Sequence, residues 1–99
     1  MTYKLRFHEK ALAEWRALDN SIREPLKRKL ASRLQQPHVP ADALSGMPNC
    51  YKIKLKRIGY RLVYQVCNDT VVVSVIAVGK RDKNHVYGSA NTRLETDKP

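Results

Sequence analysis

The chain has 99 residues, 42% of them hydrophobic, and 19 lysines and arginines against 9 aspartates and glutamates, a net charge of +10. That length predicts a single domain, residues 1–99, with one modest core. No stretch reaches the roughly 18 uninterrupted apolar residues of a membrane span, and MTYKLRF lacks the apolar run of a signal peptide. A cytoplasmic location with reduced thiols is therefore expected, and Cys50 and Cys67 are too few to form a zinc site by themselves. The excess of cations points to a polyanionic partner.

The first element is read from alternation: in TYKLRF, Tyr3, Leu5 and Phe7 are separated by polar residues, the pattern of a short half-buried strand. From Glu9 to Leu18, Ala11, Leu12, Trp15 and Leu18 recur at three and four residues and predict an amphipathic helix. Ser21 and Glu24 have capping-box spacing, and Ile22, Leu26, Leu30 and Leu34 step by four, so a second helix is expected to open at Ser21 and face the first. Pro25 removes a backbone donor near its start, and Pro37 ends it. Residues 36–49 contain three prolines and a glycine, which leaves room only for a short turn at 41–44.

Strands are predicted at 50–57, 60–67 and 70–79, joined by two-residue loops at Ile58-Gly59 and Asn68-Asp69. With the first loop, paired residue numbers sum to 117: Lys56 faces Arg61, Lys54 faces Val63, Lys52 faces Gln65, and Cys50 lies opposite Cys67. Lys52, Lys54, Lys56 and Arg61 then share one face, and Ile53, Leu55, Tyr60, Leu62, Tyr64 and Val66 share the other. TVVVSVIAV is apolar on both faces and reads as a central strand. Two helices cover one side of such a sheet, so a protein partner is expected on the other.

Residues 50–83 hold eight cations and two anions, and GKRDKNHVY adds His85 and Tyr87 to Lys80, Arg81 and Lys83. Parity carried along the third strand sends Arg81 to the core side, but a buried unpaired guanidinium is costly, so Arg81 is expected to turn outward. Clustered carboxylates are lacking, which argues against a two-metal nuclease centre. Cleavage of RNA without metal needs only cations and a proton acceptor, because the nucleophile is the neighbouring 2′-hydroxyl and charge develops on the phosphoryl oxygens. Arg61 and Arg81 suit that stabilisation, since a guanidinium can clamp two phosphate oxygens. A lysine crowded by cations, Tyr87 as phenolate, or His85 can accept the proton, and composition does not choose among them. No cofactor or metal is expected.

YKIKL, GYRLVYQV, VIAVGKR and the following Tyr87 resemble the RelE toxins, the messenger-RNA-cleaving members of RelBE toxin–antitoxin systems. The likeness extends back through ALAEWRAL and MPNCYKIKL, over nearly the whole chain. The resemblance implies an α/β (α+β) fold, with two N-terminal helices packed on a small, mainly antiparallel twisted sheet and a C-terminal tail or short helix. It implies a metal-independent, ribosome-dependent endoribonuclease that cuts mRNA in the A site by 2′-hydroxyl attack, leaving a 2′,3′-cyclic phosphate and a 5′-hydroxyl. By motif position, Lys52, Lys54, Arg61, Arg81 and Tyr87 are the implied catalytic residues. Tyr87 or a lysine would help deprotonate the 2′-hydroxyl, Arg61 and Arg81 would steady the phosphate, and Arg81 would assist the leaving oxygen. Lys56, Arg57, Lys80 and Lys83 are assigned to RNA or ribosome contact. The implied partners are a RelB-type antitoxin, the 70S ribosome with its mRNA at the A site of the small subunit, and operator DNA reached through the antitoxin complex, with no membrane. The tail GSANTRLETDKP departs from the expected helix, because Gly88, Ser89, Asn91 and Thr92 are weak helix formers. The competing readings are a non-enzymatic, gyrase-binding toxin of the ParE type with the same fold, and a basic RNA- or ribosome-binding module.

Overall fold

A computed structural model describes residues 2–55, 59–80, 90 and 92–93. In chain order it contains β1 (Lys4–Phe7), α1 (Glu9–Arg16), α2 (Asn20–Gln35), a 3₁₀ turn (Pro40–Asp42), β2 (Cys50–Leu55), β3 (Tyr60–Cys67) and β4 (Val72–Lys80). The strands form one sheet in the order β1-β4-β3-β2, with β1 parallel to β4 and the other two pairings antiparallel. The expected arrangement of two helices on a mainly antiparallel sheet is what the chain adopts.

Local chemistry sets the helix ends. His8 caps α1, its Nδ1 accepting from Lys10 N–H at 3.1 Å. The capping box expected at Ser21 and Glu24 is replaced by Asp19, whose Oδ2 accepts from Ser21 N–H at 3.1 Å and from the Ser21 hydroxyl at 2.5 Å. A carboxylate upstream is the stronger acceptor, so α2 begins at Asn20 and Ser21 serves as donor. Pro25 lies inside α2 without ending it, and the helix stops at Gln36, whose φ of −146° and ψ of 80° suit a residue before Pro37.

The β2–β3 register and the β3–β4 turn both differ from what the alternation pattern suggested. Cys50 pairs with Gln65, Lys52 with Val63 and Lys54 with Arg61, a register two residues away from the expected one. β2 ends at Leu55, and Gly59 at φ 74° closes the connection by donating its N–H to Leu55 O at 2.8 Å. A two-residue slip leaves every side chain on its own face, so hydrophobic alternation cannot detect it. Cys50 consequently does not sit opposite Cys67, which pairs with Val72, and both thiols are free. The β3–β4 turn spans 68–71, with Val71 at φ 55°, a left-handed conformation that a β-branched residue adopts only under strain.

Tyr51, Ile53, Leu55, Leu62, Tyr64, Val66, Val73, Val75 and Val78 face the helices and pack with Ala11, Leu26 and Leu30. The opposite face carries a second cluster of Met47, Cys50, Val63, Ile76, Ala77 and Ala90, with Leu44 packed against it. The chain itself therefore covers part of the face for which a protein partner was expected. Among the described tail residues, Ala90, Thr92 and Arg93 have helical backbone.

Tyr64 ties three elements together. Fully buried, it donates its hydroxyl to Pro37 O at 2.7 Å, accepts from Arg33 Nη1 at 2.9 Å and stacks on Tyr51 with ring centroids 5.7 Å apart. Burial pushes its phenol pKa up, against the hydrogen bond from Arg33 that pulls it down. Tyr64→Phe strips the Pro37 carbonyl of its donor in a buried place, and is expected to cost about 1–3 kcal/mol of unfolding free energy by urea titration. An unchanged midpoint would show that water replaces the hydroxyl.

Candidate active site

The alternation in YKIKL fixes which side chains leave the core. Ile53 and Leu55 go under the helices, so Lys52 and Lys54 stand on the other face of β2. β2 is an edge strand, and its outward carbonyls are all occupied. Cys50 O accepts from Leu44 N–H at 3.0 Å, Lys52 O from Arg33 Nη1 at 3.3 Å and Lys54 O from Lys29 Nζ at 3.2 Å. Arg33 is anchored in turn to Asp42 of the 3₁₀ turn at 2.5 Å. The helix thus fixes the backbone of both lysines from the edge, while their half-exposed side chains stand on the face away from the helices.

The register brings a third cation in. Arg61 stands directly across from Lys54, and Gly79 of β4 is its neighbour on the other side. Like charges directly opposite each other in an antiparallel pair are destabilising, so this placement opposes folding. Arg61 is only 8% exposed, and its Nη1 donates to Tyr60 O at 3.1 Å. Among the described residues no carboxylate pairs with it. The Lys54 ammonium has its pKa lowered, first by the charge of Lys52, then by hydrogen bonding to Lys52, some desolvation and the charge of Arg61, with Asp42 working the other way. The arrangement can grip a polyanion through three cations and offers one amine that gives up its proton more readily than usual.

A β-bulge shapes the far side of this face. Val63 pairs with Ala77 but Tyr64 pairs with Val75, so Ile76 is an extra residue in β4. Parity reverses there. Val73 and Val75 face the helices before the bulge, whereas Gly79 after it lies beside Arg61, and the parity that sent an odd-numbered strand end to the core no longer holds.

Of the residues singled out from sequence, the structure brings together Lys52, Lys54 and Arg61. Lys80 pairs with Tyr60 at the end of β4 and alternates to the helix-bearing side, so it does not join them. Lys56, Arg57, Arg81, Lys83, His85 and Tyr87 lie outside the described residues. Sequence reasoning missed Lys29, Arg33 and Asp42. The four-residue spacing of Lys29 and Arg33 on one side of α2 was the available signal, but it reads as ordinary solvated charge until β2 is seen to run past it. A groove of about 570 Å³ lined by Leu5, Phe7, Trp15, Leu30 and Leu34 lies between β1 and the helices, on the other side of the sheet.

Comparison with known proteins agrees with this geometry. The model of the family described as the ParE toxin of the type II toxin–antitoxin system, parDE, matches residues 5–85. The mRNA interferase toxin RelE of Escherichia coli strain K12 is 54% identical over 94 residues, covering 95% of this chain and 99% of that protein. The free state of a mutant E. coli RelE toxin superposes with a TM-score of 0.88 at 53% identity, over 95% of this chain and 99% of that one. Toxin from the intact E. coli RelBE toxin–antitoxin complex gives 0.79 at 56% identity, over 82% of this chain and 99% of that one. Family match, near-full-length identity and shared fold converge: the chain belongs to the RelE toxins of the RelE/ParE superfamily.

Proposed function

We propose that this toxin is an endoribonuclease that cleaves mRNA in the ribosomal A site without metal. The observation that carries the reading is Lys54 held opposite the buried Arg61 and beside Lys52, a repulsive arrangement that an anionic ligand would relieve. Lys54 in its free-base form takes the proton of the 2′-hydroxyl, and the resulting alkoxide attacks the adjacent phosphorus. Arg61 and Lys52 stabilise the charge gathering on the non-bridging oxygens. The 5′-oxygen departs and takes up a proton from water, leaving a 2′,3′-cyclic phosphate and a 5′-hydroxyl. Arg81 and Tyr87 complete the proposed set by their motif positions, Arg81 steadying the phosphate and the leaving oxygen. Lys56, Arg57, Lys80 and Lys83 are proposed to contact RNA of the message or the ribosome.

A RelB-type antitoxin is the proposed partner, supported by the solved E. coli RelBE complex and by the E. coli RelE mutant bound to an antitoxin RelBc peptide. The joint complex is proposed to repress its own operon at operator DNA.

The test is incubation of purified toxin with programmed ribosomes in EDTA, followed by mapping of breaks and end groups. Cuts at the A-site codon with cyclic-phosphate ends are expected, and naked message should be cut far more slowly because nothing orders it. Intact message together with blocked DNA supercoiling by gyrase would overturn the proposal in favour of the gyrase-binding reading.

A further inference from the structure

β1 runs out before β4 does. Its last pair is Phe7 with Val75, and His8 N–H then donates to Val75 O at 2.8 Å. Past that point the ladder is continued by two side chains instead of a strand. Glu14 of α1 accepts from Val78 N–H at 3.1 Å through Oε1, and Arg93 donates from Nη1 to Ile76 O at 2.8 Å. The two side chains also grip each other as a fork, Nη1 to Oε1 at 2.8 Å and Nη2 to Oε2 at 3.0 Å. Arg93 is 12% exposed and Glu14 35%. The residues they hold, Ile76 and Val78, flank Ala77 at the bulge, where parity reverses and Gly79 is delivered to Arg61.

We infer that Glu14 and Arg93 are positioning residues for the cleavage reaction. They act through β4, fixing the bulge on which the location of Arg61 relative to the strand end depends. Ala90, three residues before Arg93, is fully buried against Met47, Cys50, Val63, Ile76 and Ala77, so the described part of the tail is held to the same strand. A bidentate fork suits this task because it sets direction as well as distance, which a lysine in place of Arg93 cannot do.

The inference rests on the endoribonuclease reading, and its test keeps the two apart. Single-turnover cleavage on programmed ribosomes is measured for wild type, Glu14→Gln, Arg93→Lys and Val66→Ala, the last a core change remote from the pair, together with melting temperature and hydrogen exchange at the Val78 amide. The expected result is a rate reduced about tenfold or more in Glu14→Gln and Arg93→Lys. The ribosome concentration giving half the maximal rate should be unchanged, and Val78 exchange should accelerate in Glu14→Gln. Val66→Ala should lower the melting temperature but keep the rate. Variants of the pair that cut at the wild-type rate, or a Val66→Ala protein slowed as much as they are, overturn the positioning role alone. Wild-type protein that leaves the message intact overturns the endoribonuclease reading, and the positioning role with it.

Discussion

Lys54→Ala is expected to slow single-turnover cleavage on the ribosome by about 10²- to 10⁴-fold, the range a positioned general base contributes. An amine at its ordinary pKa is almost wholly protonated at neutral pH, so the adjustment made by its neighbours decides whether Lys54 can serve. The charge of Lys52 is the largest influence lowering its pKa, with Arg61 adding to it. The free amine is the active form, so the rate should climb with pH through the Lys54 pKa and level off above it. Lys52→Met removes the leading cause of the depression, the Lys54 pKa moves back up, and the rising limb should shift to higher pH. A pH–rate profile of Lys52→Met that falls in height without moving would assign the proton transfer to another group, Tyr87 or His85.

Arg61→Ala is expected to lower the same rate by about 10²- to 10³-fold, the loss typical when one preorganised donor to a transition-state anion is removed. Ribosome binding should change only a few-fold, because Arg61 is one of 19 cations and is largely buried. Stability should move the other way or not at all. The wild-type chain holds the Arg61 charge across from Lys54, and deleting it relieves repulsion as well as leaving a small void. A variant that is inactive yet melts no lower than wild type would display the opposition between activity and stability at functional sites. Arg61→Lys should rescue poorly, since an ammonium lacks the planar fork. Loss of affinity in proportion to loss of rate would instead make Arg61 a docking contact.

How much of this could be read from the residues alone differs from element to element. The alternation of Lys52, Ile53, Lys54 and Leu55 sufficed to say which side each faces, because burial acts on every second residue. It could not say which residue stands opposite which, because sliding by two preserves the faces, and so the confrontation of Lys54 with Arg61 leaves no mark in the sequence pattern. The bulge at Ile76 was hidden for a related reason. VVVSVIAV is apolar on both sides, so an inserted residue breaks no pattern. Asp19 was overlooked as a cap because Ser21 and Glu24 offered a tidier motif, and the pairing of Glu14 with Arg93 joins residues 79 apart, a separation no local rule reaches. Helices, strand identities and the shared face of Lys52, Lys54 and Arg61 were legible because each depends on local periodicity.

The occupied carbonyls of β2 bear on the life of the toxin outside any complex. An uncovered border on a sheet this small would invite copies of the molecule to zip together into aggregates. Leu44, Lys29 and Arg33 fill every outward acceptor along Cys50, Lys52 and Lys54. The charged residues of α2 therefore act on the sheet border as well as on solubility, blunting it against pairing with a second copy of the chain.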